Sequence, residues 1–321
     1  MEKRILIWLA AFFYYTGIIR LAYWRKRRQG PYLTILNYHQ AAEGGELRDH
    51  LRYLRRHYRV MHLDDALDEL YASPAQKKAQ RADWRAPLVV TLDDGYRDNY
   101  THGLRAATEL QVPITIFLIP GYIDSGERFW WLEADYLLAH TRVSEADIEG
   151  TVYHLEQPAK RAALRQLIIQ RTRHARSVAE REAFIQQIRQ ALGDPHEWSE
   201  SERLALPMNW EEVLEMDKSA WISFGAHTVH HPILGYLADP EEAAYEVRTS
   251  HTMLEQRLGH RLRAFAYPVG WLDQAGYAGV RAVHETGFDW AVTTVYGFNT
   301  PDTDPYLLRR IETDVNEHWL I

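Results

Sequence analysis

The chain has 321 residues, 46% of them hydrophobic, a formal net charge of −7 and no cysteine. That length accommodates one barrel-sized catalytic unit of about 200 to 250 residues plus additions, and the acidic balance argues against a general nucleic-acid binder, which needs a basic face. Without cysteine there are no disulfides or thiolate metal sites, so any metal must be held by nitrogen and oxygen ligands.

The chain opens on a strongly apolar run, Ile5 to Ile19, followed by Arg20, by Leu21-Ala-Tyr-Trp24 and by the basic cluster Arg25-Lys-Arg-Arg28. Counted through Trp24 the run is about 20 residues, barely a membrane span at 1.5 Å per residue, and Arg20 would have to snorkel to a headgroup. No small-x-small cleavage site follows, so residues 1–29 read as an uncleaved anchor rather than a signal peptide. The basic cluster after it favours a cytoplasmic C-terminal domain, residues 30–321. An interfacial helix with the same flanks would leave the domain on that face too, and a helix packed on its own domain is the third reading.

From residue 30 onward, strand-like and helix-like patterns alternate. Asp64 to Tyr71 reads as a short helix. Pro87 to Leu92 is a β-branched apolar run, a buried strand that delivers Asp93 and Asp94 at its C-terminal end, with Gly95 permitting a sharp exit. In an α/β barrel that end of a strand is where reactive side chains collect. Adjacent residues leaving a strand point to different sides, so the two carboxylates can divide metal binding from proton handling. Asn99 to Gln111 follows as a helix and Ile114 to Ile119 as the next strand.

Trp130-Trp131 then opens a helix-rich excursion, giving an insertion of about residues 125–206 that a minimal barrel does not need. Leu164, Leu167 and Ile168, and later Phe184, Ile185, Ile188 and Leu192, recur at helical spacing around a charged run from Arg171 to Glu182. Two helices or one interrupted helix fit. An insertion on the C-terminal side of a strand sits at an active-site mouth, as a lid or binding wall or as a structural cap.

Ala220 to Gly225 is another apolar strand, followed by His227-Thr-Val-His-His231. Imidazoles four residues apart suit one face of a helical turn, although His230, at three, competes with His231. Two neutral imidazoles and one carboxylate leave positions open for water and substrate, the pattern of a hydrolytic zinc site. Each motif alone has a bland reading, a turn or an exposed helical histidine. Their joint placement after buried strands argues for a site. Asp239 to Leu258 reads as a helix with Pro240 near its start and Gly259 at its end, Trp290 to Val295 as a late strand, and Leu308 to Val315 as the strand closing the barrel. The aromatics Tyr96, Trp130, Trp131, Tyr267 and Trp271 flank the motifs and suit sugar faces or core packing equally.

Thr91-Leu-Asp-Asp-Gly95 and His227-Thr-Val-His-His231 resemble the first two motifs of the polysaccharide deacetylases, the nodulation-type or family-four carbohydrate esterases. The resemblance implies a distorted (β/α) barrel that removes N- or O-acetyl groups from sugars with a divalent metal. By position, Asp93 would be the general base and Asp94, His227 and His231 the metal ligands, His231 being favoured over His230 by the Pro232 that follows it. Phe265-Ala-Tyr-Pro-Val-Gly270 is similar to the third motif but carries Ala266 where the family commonly has an arginine that orients the base. That departure, with Leu33-Thr-Ile-Leu-Asn-Tyr-His39 and Leu308-Arg-Arg-Ile311, resembles a permuted branch typified by biofilm poly-N-acetylglucosamine deacetylases. There the acid comes from the first strand, which implies His39 as general acid and Arg310 as the group orienting Asp93. The resemblance spans about residues 30–125 and 205–315.

The expectation is therefore a zinc-dependent enzyme removing N-acetyl groups from an amino-sugar polysaccharide or a lipid-linked glycan. Tyr96, Tyr267 and Trp271 would contact the sugar, and a backbone N–H near Tyr267 would help hold the oxyanion. An O-acetyl esterase with the same ligands is the alternative within this chemistry. An inactive glycan-binding relative tethered to a synthesis complex is the alternative outside it, encouraged by the altered third motif. The oligomeric state is not legible in the sequence.

Overall fold

Runs that are apolar on both faces can only be covered on both faces, and here they pair in parallel. The computed structural model describes residues 30–41, 46–73, 85–194 and 198–313, with isolated positions before residue 30. Among them, β1 (Thr34–Tyr38), β2 (Tyr58–Met61), β3 (Ala86–Leu92), β4 (Ile114–Leu118), β5 (Glu145–Ile148), β6 (Thr151–His154), β7 (Ile222–Ala226), β8 (Ala264–Ala266), β9 (Trp290–Tyr296) and β10 (Leu308–Glu312) are the strands. The order β1-β10-β9-β8-β7-β4-β3 closes on itself because β1 pairs with both β10 and β3, giving a seven-stranded parallel barrel. β2 branches off the ring: it pairs with residues 86–89 of β3, whereas β4 pairs with Thr91 and Leu92 beyond them. This fork is the distortion.

Alternation along the strands divides the core. Ile35, Val89, Phe117, Ala264, Val292 and Leu308 pack with Leu63, Ala66, Leu67 and Leu70 of the helix Leu63–Tyr71. That helix lies across the N-terminal ends of the strands, where Arg263 Nη1 and Nη2 reach Asp68 and Tyr71 stacks on Trp290. The other set, including Val90, Ile116, Phe224 and Phe265, packs against outer helices through Leu51, Val213, Val247 and Val283. With the N-terminal end covered, the C-terminal ends are left for chemistry.

Several predicted elements differ in detail. The helix expected over Asn99 to Gln111 begins with a π-helical turn, Asn99–Leu104, before the α-helix Arg105–Leu110, and Gln111 ends it at φ 53°. The insertion holds two helices, Pro158–Arg173 and Val178–Leu192, the second capped by Ser177 accepting from Glu180 N. It also contains an antiparallel hairpin, β5 with β6, that its pattern did not suggest. These pieces share a core of Leu137, Ile148, Leu164, Ile168, Phe184 and Ile188. β10 ends at Glu312 rather than Val315, and Val315 lies outside the described residues. The anchor expected over residues 1–29 falls mostly outside the described residues; among those described, no helix is long and apolar enough to cross a membrane.

Candidate active site

β3 is buried almost throughout, and its ladder with β1 continues one residue further through Asp93 N donating to Tyr38 O at 2.9 Å. The chain then turns sharply, with Asp94 and Gly95 both at φ 73°. That turn separates the two carboxylates. Asp93 is clasped by Arg310, whose Nη1 and Nη2 donate to Oδ1 and Oδ2 at 2.8 and 2.7 Å. Arg310 is fully buried, and its remaining donors reach Thr293 O at 2.9 Å, Asn37 Oδ1 at 2.7 Å and Thr91 Oγ1 at 3.2 Å. Burial pushes the Asp93 carboxyl up, but the charge and hydrogen bonds of Arg310 more than offset it and hold the group at about 2. The arginine missing at position 266 is thus replaced in space by one from the last strand, which weakens the case for an inactive relative.

Asp94 faces the other way, towards the histidines. His227 continues β7, its N–H donating to Leu118 O at 2.9 Å. Its Nδ1 lies 2.7 Å from Ala266 O, and since a carbonyl only accepts, Nδ1 carries the proton and Nε2 presents its lone pair. His231 Nε2 is 3.1 Å from His227 Nε2, and each is 3.5 Å from Asp94 Oδ1. The four-residue spacing, expected from sequence to be a helical turn, is instead a tight non-helical turn with Thr228 at φ 65° and His231 at φ 55°. Thr228 Oγ1 accepts from His231 N at 3.0 Å inside it. Asp94, Thr228, His231 and the nearby Val269 are four of the six non-glycine residues at positive φ among those described, so backbone strain is concentrated at this site.

The turn also separates His230 from His231. His230 points away, with Nδ1 2.6 Å from Glu246 Oε1, while Glu246 Oε2 accepts from Val229 N and His230 N at 2.9 and 2.8 Å. Glu246 sits on the helix Pro240–Leu258, is 1% exposed, and was invisible in the sequence because one acid among several on a long helix has no distinguishing pattern. Gly121, after β4, abuts the turn so closely that a Cβ there would stand 2.4 Å from Val229 O.

Asp94, His227 and His231 are buried and bring their ligand atoms within 4.8 Å of one another. Asp94 Oδ1 has no hydrogen-bond partner although it is buried, an expensive arrangement for a bare carboxylate. Burial, helped by the charge of Arg181, pushes the His231 imidazole well below its usual value, which keeps it in the neutral form that binds metals. The donor set therefore fits a divalent cation.

These groups open into a cavity of about 360 Å³ lined also by His39, Tyr96, Trp130, Trp131, Arg173, Val269, Trp271, Thr294 and Glu312. His39 follows β1 and is half-buried; its carbonyl accepts from Asn99 Nδ2 at 3.0 Å, so the π-helical turn holds its backbone. Tyr96 is buried, with its hydroxyl accepting from Trp131 Nε1 at 2.7 Å, and Trp271 is 53% exposed at the rim. Tyr267 does not face the cavity. It is fully buried in the core, its hydroxyl donates to Tyr306 O at 3.1 Å, and its N–H is used by Val292 O at 3.2 Å, so Tyr267 itself supplies neither a sugar contact nor an oxyanion donor. Arg173 and Glu312 were missed from sequence; both stand at element ends, where no periodicity marks them.

The sequence profile of the family described as polysaccharide deacetylase matches residues 82–288. No curated protein matches the chain. Among solved structures, the deacetylase PplD of Streptococcus pyogenes, determined with acetate, is similar at 16% identity and a TM-score of 0.56, covering 89% of this chain and 95% of that one. IcaB from Ammonifex degensii is similar at 19% identity and 0.56, covering 88% and 92%. The deacetylase domain of BpsB from Bordetella bronchiseptica is similar at 14% and 0.54, covering 88% and 96%.

Proposed function

The chain belongs to the polysaccharide deacetylase family, and from that premise we propose that it removes N-acetyl groups from an amino-sugar glycan, a polysaccharide or a lipid-linked precursor. The observation that carries this reading is the clasped Asp93 beside the Asp94, His227 and His231 cluster, inside one cavity with His39. A divalent cation held by Asp94, His227 and His231, zinc for ligands of this kind, would supply the Lewis acidity that activates water and polarises an amide carbonyl. Asp93 accepts the proton of the attacking water, kept ionised and aimed by Arg310. His39 donates a proton to the departing sugar amine. Trp130, Trp131 and Tyr96 wall the acetylated unit, and Trp271 carries a neighbouring sugar at the rim. The test is acetate release from N-acetylglucosamine oligomers by the purified chain, with and without a chelator; no release by zinc-loaded protein sinks the reading.

His39→Ala is expected to lower turnover of an N-acetyl substrate by about 10²- to 10⁴-fold, the range for a placed acid. Hydrolysis of an activated acetyl ester, whose leaving group needs less protonation, should fall far less. Equal losses on both would make His39 structural.

We further place the enzyme at a membrane through residues 1–29, with its barrel on the cytoplasmic face. Trp8 and Tyr15, 78% and 75% exposed, are apolar groups that water does not favour. The full chain should float with lipid vesicles while a form lacking residues 1–29 stays in solution. Flotation of both forms would remove the anchor.

A further inference from the structure

The turn that carries His231 is gripped from two sides. On its N–H side the barrel helix supplies Glu246. On its carbonyl side Gly121 N after β4 reaches Val229 O at 3.0 Å, and the donors to the last two carbonyls come from the insertion: Arg181 Nη2 reaches His230 O at 2.8 Å, Arg181 Nη1 reaches His231 O at 3.4 Å, and Trp130 Nε1 reaches His231 O at 3.0 Å. Arg181 is 2% exposed, an unusual place for a guanidinium. Its charge is met at its outer edge by Glu182 at 3.0 Å, and its planar fork lies over the Trp130 ring at 5.5 Å.

The two histidines of the cluster are not held alike. His227 is oriented through its own ring, by Nδ1 on Ala266 O. His231 Nδ1 is buried and has no hydrogen-bond partner, so nothing on its ring does the same for it. Its orientation depends on its backbone, which adopts φ 55°, and on the Trp131 ring, which leans against it at a 53° tilt with centroids 4.6 Å apart. The Trp131 ring, and the bonds of Arg181 and Trp130 that help fix that backbone, belong to the insertion.

We infer that the insertion is part of the metal site, with Arg181 and Trp130 acting as positioning residues that hold His231 in place and so set the affinity for the divalent cation. A lid or sugar wall would not need these bonds, because they end on the backbone carbonyls of His231 and of His230 beside it rather than on the cavity. Nor are they needed merely to dock the insertion, which is tied to the barrel elsewhere by Val178 N on Glu242 Oε1 and Ala238 N on Arg176 O, both at 2.8 Å. The inference rests on the metal assignment made above.

The test is Zn²⁺ affinity of the full chain, measured by competition with a chromophoric chelator. Arg181→Met should weaken binding by about 10- to 100-fold, the range for residues that support a ligand. Trp130→Phe, which keeps the ring and removes the N–H, should weaken it about tenfold on the same basis, and Arg181→Lys should fall between Arg181→Met and wild type because one ammonium cannot fork across two carbonyls. Arg189→Met is the control. Arg189 lies on the same helix but serves Glu133 and Glu127, so its loss should loosen the insertion and leave Zn²⁺ affinity within about twofold, well short of the 10-fold floor for ligand support. If Arg181→Met fails to fold, Trp130→Phe and Arg181→Lys carry the test. Unchanged affinity in those variants, or an equal loss in Arg189→Met, overturns the inference, as does a wild type that binds no Zn²⁺. Weakened Zn²⁺ binding in a chain that releases no acetate supports the inference and removes only the proposed activity.

Discussion

Asp93→Asn is expected to lower turnover in acetate release by about 10²- to 10⁴-fold, the contribution of one well-placed base, while leaving divalent-metal affinity unchanged. The amide keeps the shape of the carboxylate and one acceptor for Arg310 but cannot take a proton from water. Metal affinity should survive because the sharp turn at Asp94 separates the clasped group from the metal-facing one. Calorimetric titration with Zn²⁺ beside a single-turnover acetate assay measures both quantities. Metal loss in the variant would show that the two carboxylates share one job, and retained turnover would remove Asp93 as base.

Arg310→Met is the second large effect and acts on stability as well as on chemistry. Removing one partner of a buried ion pair leaves the other charge uncompensated, a loss of about 3 to 5 kcal/mol. Here the guanidinium also donates to Thr293 O and gives Asn37 Oδ1 the shorter of its two hydrogen bonds, the other coming from Thr91 Oγ1 at 3.3 Å, so these bonds are lost at the same time. The pH dependence has a definite sign. In the metal-free wild type the Asp93 carboxyl is depressed from 3.8 to about 2, so the stability it contributes is present above 3.8 and lost as pH falls towards 2. Without Arg310 the main opposing pull is gone and burial raises the group, so protonation then relieves the variant. The stability gap between the two proteins should therefore be widest near neutrality and narrow on acidification. Urea unfolding at several pH values checks this, and a gap below about 1 kcal/mol at pH 7, the value of an exposed pair, would contradict the clasp.

Much of the barrel was legible because its strands are covered on both faces and so read as unbroken apolar runs, as β3, β4 and β7 do. The helix Pro240–Leu258 was legible from its ends: Asp239 caps it and Gly259 closes it at φ 77°. Elements lacking such marks were lost. The helix Leu272–Thr286 is interrupted by Gly276 at φ 65°, where the chain passes so near Gly235 that a Cβ would stand 2.6 Å from its Cα. The hairpin of β5 and β6 is polar because it buries only one edge, chiefly Ala146 and Ile148. Tyr267 was misjudged because adjacency to a motif does not fix which side of a strand end a ring takes.

By itself the sequence determined the local chemistry: two carboxylates after one buried strand, two imidazoles after another, and nitrogen and oxygen as the only ligand atoms on offer. Those are properties of neighbouring residues and survive without a fold. The resemblance pointed to Arg310 beside Asp93 and to His231 over His230, but only the tertiary structure decided that Arg310 clasps both oxygens of Asp93 across 217 residues, that the turn swings His230 away from the cluster, and that Glu246 and Arg181 grip that turn between them. The physical reason is ring closure. Pairing β1 with β10 brings the first and last strands together, and no local period encodes a contact between segments that meet only when the barrel shuts.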